Sequence, residues 1–584
     1  MLPNPPQYRL AASLLLLVPS SLLLPPSVAL AAESPFDSFG SQAAAHEFSN
    51  LLTEASYKSE FDLFGHDVFR RAPPGVAPLE NNKVTALNLQ PGSTACYVLE
   101  RSAIFGNEAN SPSQPSDASP KLVHISANTC LQPANNGSDG NGSSAPQLIL
   151  SVSNSSQTAC QTPTQNPSEN GGKIFREGAV MFGSNATGDV FIGITAPNVS
   201  SSFQGVYNFE LAVSLDDYMH RFENRQGAQL LWMDSDSTSA LLVTRNLTEN
   251  KEDIRRVMGE GLPYDLYVSN KEAPAIYGLT HSVCGLQNMA QIKVGRMKNS
   301  VQNGPVATGM TLRGPGSFPK QQFHFVDLNA SSSYVGILVK KSNMTGLGKR
   351  QEEGNPATGS TVFQATEFQT VSGTNCKIVT DLEFCNEIQY AVPGNEQKFN
   401  NTALAKTYDD YAKAMYANFE KAMMQIPCEA PKTAQYSLSR NCDDCKVAYK
   451  RWLCTVSMPR CEDFGSSNEL ALERNARQAF PNGTQLPDDF IDDQIQPGPY
   501  KEVLPCDDLC YEVVQSCPAK LGFKCPQPDL VSFGFSYAQR GQNGSTVSCN
   551  YPGEARTPMS AARTLLPDLI VVGCFSLAAA LMLG

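Results

Sequence analysis

The residues with most chemistry to offer are the cysteines, and their spacing decides which chemistry that is. Cys442-Asp-Asp-Cys445 sets two sulfurs at the interval that can share a zinc ion, but no second Cys-x-x-Cys follows at finger spacing and no histidine lies beyond His324. Disulfides suit the pattern better. Of the 17 cysteines, Cys574 falls in an apolar tail taken up below. The others are Cys96, Cys130, Cys160, Cys284, Cys376, Cys385, Cys428, Cys442, Cys445, Cys454, Cys461, Cys506, Cys510, Cys517, Cys525 and Cys549, an even set that crowds beyond Cys428. Each bridge would stabilise by about 2–4 kcal/mol through restriction of the unfolded chain. Cys506, Cys510 and Cys517 would line one face of a helix. In Cys442-Asp-Asp-Cys445-Lys-Val-Ala-Tyr449-Lys-Arg-Trp452-Leu-Cys454, the two aromatic rings precede a sulfur by about a turn and would bury large apolar area among the bridges.

Other chemistries have little to stand on. The histidines are His46, His66, His124, His220, His281 and His324, and neither a Gly-x-Ser-x-Gly elbow nor a His-Glu-x-x-His helix is present. Asp234-Ser-Asp236-Ser opens like a calcium loop, yet Ser239 stands where the loop needs Gly and Arg245 where it needs Glu, so it reads as a turn beside a strand. Asp216-Asp217 and Asp409-Asp410 read as surface pairs. No catalytic residue, cofactor or metal ligand is expected.

The elements that position the sulfurs belong to a chain of 584 residues with net charge −12 and 17% charged side chains. That balance lacks the basic footprint of a nucleic-acid partner and is too weakly charged for a disordered polyelectrolyte. Arg9, the apolar run Leu10 to Leu24 and Ala29-Leu30-Ala31 read as a secretory signal peptide. Sequons at Asn136, Asn141, Asn154, Asn185, Asn198, Asn246, Asn329, Asn343, Asn400, Asn482 and Asn543 then place nearly every segment in the lumen, where glycans are added. Leu569 to Gly584 carries no charge; with small residues at Ser560-Ala561-Ala562 and a short spacer, it reads as the signal for a glycosylphosphatidylinositol (GPI) anchor on Ser560, with Gly553 as a second attachment candidate and a C-terminal membrane helix as the alternative. No internal run is long and apolar enough to line a pore.

Between these ends the reading is α+β and multidomain: signal peptide 1–31, leader or docking arm 32–84 with a short helix near Ala43 to Leu52, a first antiparallel β-sandwich-like domain 85–220, a second 221–398, an amphipathic helix 399–427, a disulfide-rich, mainly helical domain 428–552, and the tail 553–584. Runs at Ala95 to Leu99, Leu122 to Ile125, Leu148 to Val152, Val190 to Ile194 and Tyr207 to Val213 supply the first set of strands. Gln229 to Trp232, Ala240 to Thr244, Tyr264 to Val268, Gln291 to Val294, Gln322 to Val326, Tyr334 to Val339 and Ile378 to Tyr390 supply the second. Loops 107–120 and 132–146 are too polar to pack. Lys349-Arg350 resembles a dibasic processing site. Leu404, Tyr408, Tyr411, Met415, Phe419, Met423 and Ile426 recur at helical spacing.

Tyr449-x-x-Trp452-x-Cys454, Pro459-Arg-Cys461 and Pro505-Cys506-x-x-x-Cys510-x-x-Val513-x-x-x-Cys517-Pro518 are similar to the cysteine-rich domain of Frizzled receptors. With the signal peptide, the sequons and the β-rich front half, the whole chain resembles the fungal Mid family of stretch-activated calcium channel components. The resemblance implies an auxiliary subunit on the outer face of the plasma membrane, matured in the endoplasmic reticulum, that assists a pore-forming α-subunit of a voltage-gated-type calcium channel and supports calcium influx during stress, mating or mechanical load. It implies no enzyme. Contact with that partner is assigned to Lys446, Tyr449, Lys450, Arg451 and Trp452 and to Asp507, Asp508, Tyr511 and Glu512. The alternative is a Frizzled-like cell-surface receptor or lipid-binding module.

Overall fold

The computed structural model describes residues 75–106, 119–135, 144–154, 157–160, 172–223, 229–295, 306–340, 359–431, 436–437, 439–474, 490–540 and 547–556. The signal peptide, most of the leader, Lys349-Arg350, Ser560, Asn136, Asn141, Asn343, Asn482 and Asn543 lie outside these residues.

The first domain comprises β1 (Ala77–Pro78), β2 (Lys83–Leu89), β3 (Thr94–Leu99), β4 (Lys121–Leu131), β5 (Ala134–Asn135), β6 (Ile149–Ser153), β7 (Lys173–Ile174), β8 (Ala179–Ala186), β9 (Val190–Thr195), β10 (Phe203–Gln204) and β11 (Tyr207–Ser214). They form a sheet β1-β3-β9-β6-β7 and a sheet β2-β11-β4-β8, with β5 and β10 pairing apart. Alternate apolar side chains from the two larger sheets meet between them: Tyr97, Leu99, Leu150, Ile192 and Ile194 against Val123, Ile125, Ala127, Phe209, Leu211 and Val213. Gly193 is dictated by the Cys96–Cys160 bridge, which holds the turn at 157–160 on β9 so closely that a Cβ there would collide with the Ala159 carbonyl oxygen. The period-two pattern of β11 predicts one wet face, yet all eight of its residues are buried.

The second domain covers that face. Its strands are β12 (His220–Phe222), β13 (Leu230–Ser235), β14 (Ala240–Thr244), β15 (Tyr264–Asn270), β16 (Ile292–Val294), β17 (Val306–Thr311), β18 (Lys320–Phe325), β19 (Ser333–Lys340), β20 (Ser360–Val362) and β21 (Thr366–Gln369). One sheet runs β12-β20-β19-β15-β16 with β21 on β19, the other β13-β14-β18-β17. Leu230, Leu242, Leu266, Val268, Phe323, Phe325, Leu338 and Phe368 fill the space between. Helix α1 (Val283–Met289), capped by Ser282, lies over the first domain: the Ser282 hydroxyl donates to the Thr129 carbonyl at 2.7 Å and the Asn288 amide to the Cys130 carbonyl at 3.1 Å. The apolar run Ile378 to Tyr390 resolves into a hairpin of β22 (Cys376–Val379) and β23 (Tyr390–Pro393), turning where Asp381 takes a left-handed φ of 58°.

Helix α2 (Asn401–Met423) starts at Asn400, whose side chain accepts from the Ala403 N–H. Leu404, Tyr408, Phe419, Met423 and Ile426 of the predicted stripe are buried, while Met415 is 38% exposed. Beyond it stand α3 (Cys442–Ser457), β24 (Arg460–Glu462), β25 (Leu472–Arg474), β26 (Tyr500–Val503) and α4 (Asp507–Ser516), with a sheet ordered β24-β26-β25. Here the expectation of a mainly helical domain gives way. Two principal helices share the region with a sheet and irregular connections, because covalent bridges supply the order that longer helices would otherwise provide.

Candidate functional site

The cysteine framework is complete among the described residues. The pairs are Cys96–Cys160, Cys130–Cys284, Cys376–Cys461, Cys385–Cys454, Cys428–Cys442, Cys445–Cys517, Cys506–Cys549 and Cys510–Cys525. The zinc option at Cys442 and Cys445 is thereby closed, since each sulfur is committed to a different partner. Three pairs cross between bodies: Cys130–Cys284 ties the first β domain to α1 of the second, while Cys376–Cys461 and Cys385–Cys454 tie the β22–β23 hairpin region to β24 and α3. Loops of 85 and 69 residues close through the latter two, which in the chain-entropy limit removes about 4–5 kcal/mol of unfolded-state freedom each.

A charged cluster that sequence reasoning missed lies beside Cys461. Asp234 of β13 and Arg460 of β24 have side chains 1% and 0% exposed, with Nε to Oδ2 at 2.9 Å. Arg556 bridges the same aspartate at 3.0 Å and Glu462 at 3.2 Å. Arg460 also donates to the Met233 and Glu554 carbonyls, and the Ala391 N–H donates to Asp234. Burial works against the Arg556 charge, but Asp234 and Glu462 more than offset it and raise its pKa. Asp236 is equally occupied, accepting from the Thr238, Ser239 and Ile378 N–H groups. The two aspartates of the calcium-like Asp234-Ser-Asp236 stretch thus close a turn and hold arginines. No local signal could reveal this, because Arg460 is 226 residues from Asp234.

The residues assigned to partner contact divide into two groups. Arg451 on α3 is internal: its Nε meets Glu387 at 2.6 Å, its Nη1 meets Glu512 of α4 at 3.2 Å, and its guanidinium lies 5.9 Å from the Tyr551 ring centroid. The hydrogen bond to Glu387 leads in raising its pKa. Trp452 donates Nε1–H to the Tyr537 hydroxyl at 2.8 Å, Tyr449 stacks on Phe419 at 3.8 Å, and Lys450 sits over the Phe384 ring at 4.8 Å. Asp508 takes Arg540 at 2.7 Å. Lys446 and Asp507 are half-buried and Tyr511 is 37% exposed. Beside these, Val447 at 54% and Val514 at 39% turn apolar surface outward from α3 and α4, two helices joined by Cys445–Cys517. Neither valine stood out in the sequence, where each looks like an ordinary helix residue.

Of the sequons described, Asn154, Asn185, Asn198, Asn329 and Asn400 are exposed and Asn246 is half-buried. Gly553, at φ 76°, is packed so tightly on Gly314 that a Cβ would collide with its Cα. Among the described residues no helix is long and apolar enough to cross a membrane.

Comparison with known proteins gives these features a lineage. The chain is 36% identical over 352 residues to the stretch-activated cation channel yam8 of Schizosaccharomyces pombe, spanning 60% of this chain and 65% of that protein. It is 29% identical over 471 residues to the stretch-activated cation channel MID1 of Saccharomyces cerevisiae, spanning 74% and 80%. A MID1 channel of Cryptococcus neoformans matches at 24% over 199 residues, 30% of this chain and 31% of that one. The family model described as Mid1, stretch-activated Ca2+-permeable channel component, matches residues 122–555, which takes in both β domains from β4 onward, α2, the bridged helices and most of the charged cluster. On that match, covering well over half of its length, the chain belongs to the Mid1 family of stretch-activated Ca2+-permeable channel components.

Proposed function

We propose that this protein is an extracellular, glycosylated regulatory subunit of a plasma-membrane calcium channel, seated on a separate pore-forming α-subunit of the voltage-gated type. It supports that subunit's assembly in the endoplasmic reticulum and its calcium influx under stress, mating or mechanical load. The observation that carries the reading is the covalent continuity of the described molecule: bridges join first β domain to second and second to the helical region, while no described helix can span a bilayer. A rigid, sulfur-braced attachment suits the transmission of load to somebody else's pore. A GPI-type anchor at Ser560 fits this arrangement better than one at Gly553, because attachment at Gly553 would remove Glu554 and Arg556, both built into charged contacts.

Affinity purification of the tagged full-length protein from membranes tests the reading. It expects one very large polytopic channel subunit in the eluate, and the absence of any such subunit rejects it. A receptor or lipid-binding role draws support from one feature, a cavity of about 300 Å³ beside α4 lined by Trp452, Val513, Val514, Phe523 and Tyr537. A stoichiometric lipid in mass analysis of the purified protein would favour that role.

A further inference from the structure

The face of β11 that should be wet carries Glu210, directly opposite Asn128 of β4. Covered by the second domain, Glu210 is 8% exposed, Asn128 1% and His220 of β12 1%. The Cys130–Cys284 bridge holds the cover down, and a carboxylate oxygen of Glu210 and both sulfurs lie within 4.8 Å of one another. Sulfurs joined to each other carry no thiolate charge, so the bridge is a wall here and not a ligand.

The His220 ring is oriented from behind. Its Nδ1 lies 3.4 Å from the Ser126 carbonyl oxygen and from the Ser126 hydroxyl, and its backbone N–H donates to that hydroxyl at 3.1 Å. A carbonyl can only accept, so Nδ1 bears the hydrogen, and in the neutral ring Nε2 then presents its lone pair. That lone pair faces Glu210 Oε2 at 3.5 Å. Neither atom has a hydrogen-bond partner among the described residues, nor does either polar atom of the Asn128 side chain. Two acceptors facing each other in a buried site, neither paired, call for positive charge between them. A proton alone would draw the pair to about 2.7–2.9 Å, the length of a charge-assisted bond. Ligands about 2.0–2.2 Å from a zinc-class ion, at tetrahedral angles, stand about 3.4 Å apart.

We propose that His220 Nε2, the Glu210 carboxylate and the Asn128 side-chain oxygen bind one divalent ion of the zinc class at the junction of the two β domains. The Ser126 carbonyl on Nδ1–H supplies the outer contact that metal-bound imidazoles require. Glu210 and Asn128 come from the first domain and His220 from the second, so the ion is a second staple beside Cys130–Cys284.

The test uses the full-length glycoprotein purified in detergent without chelator, with metal content measured by mass spectrometry and thermal melting followed during EDTA dialysis and ZnCl2 titration. Roughly one zinc-class ion per chain is expected, with a melting temperature that falls on chelation and recovers with zinc. Glu210→Gln and His220→Gln should each lose the ion and the response to zinc, while Asn128→Asp, which keeps the oxygen and adds charge, should retain both. Should a variant fail to accumulate, metal content and zinc response of the unaltered protein still decide. Metal at the level of the buffer blank together with a melt indifferent to zinc would overturn the proposal and leave the pair holding only a proton. So would an ion retained at full stoichiometry by Glu210→Gln.

Discussion

At the scale of single residues, the strongest constraint is the pair of fully buried opposite charges, Asp234 and Arg460. Taking both out of water costs several kcal/mol per ion, and their attraction repays this only with the extra contacts that Met233, Ala391 and Glu554 supply. Removing one partner therefore strands the other. Asp234→Leu should destabilise the protein by about 3–5 kcal/mol, read as a lower midpoint in urea unfolding, whereas Asp234→Leu with Arg460→Met should recover most of that loss. A double variant as unstable as the single one would show that packing, not charge pairing, sets the cost. Arg556 keeps Glu462 in either background, which limits the damage to one ion. The contrast with Lys450 is instructive: over the Phe384 ring and partly open to water, it can be reversed in sign at far smaller cost than Arg451, whose guanidinium is shared by Glu387 and Glu512.

At the scale of elements, how much was legible followed from whether a pattern is local. The strands at Ala240–Thr244 and Tyr264–Asn270 announce themselves by apolar runs, the second read as far as Val268, and the helix from Asn401 by apolar residues at helical spacing. The buried polar face of β11 does not, because α1, which helps cover it, lies far along the chain, and alternation reports only that two faces differ. The same limit hid the charged cluster and turned Ile378 to Tyr390 into a hairpin. Asn400 illustrates two readings of one residue, glycan acceptor and helix cap, which substitution separates. Asn400→Ala should lose about 1 kcal/mol, while Asn400→Asp keeps an oxygen for the Ala403 N–H and should melt close to the unaltered protein, though both remove the sequon. Equal melting of the two would deny the cap its part. On α3 and α4 the outward apolar side chains, not the paired charges, are the contacts to test. Val447→Asp with Tyr511→Asp should leave melting nearly unchanged and weaken co-purification with the proposed pore-forming subunit by about 30-fold, the scale of a lost hot spot. Undiminished co-purification would move the contact off these helices.

At the scale of the whole molecule, the question is whether the cross-body bridges serve stability alone or also carry load. Cys376–Cys461 is the informative one: it joins β22 to β24 beside the Asp234–Arg460 pair, so the two bodies remain in contact through charge and packing when the bridge is gone. A non-covalent interface yields under sustained pulling at a rate set by its unfolding barrier, whereas a disulfide does not yield at all. Cys376→Ser with Cys461→Ser should therefore separate the two roles. On the proposed function, the expected protein reaches the cell surface, co-purifies with the proposed pore-forming subunit and supports calcium entry at rest, yet loses most of the increment that hypo-osmotic swelling produces, measured with a cytosolic calcium indicator. The loop it opens is 85 residues long, worth about 4–5 kcal/mol in the chain-entropy limit, so surface abundance must be matched before influx is compared. If swelling raises calcium equally in matched cells, load reaches the channel without passing through this junction, and the bridges are there only to keep a long chain folded.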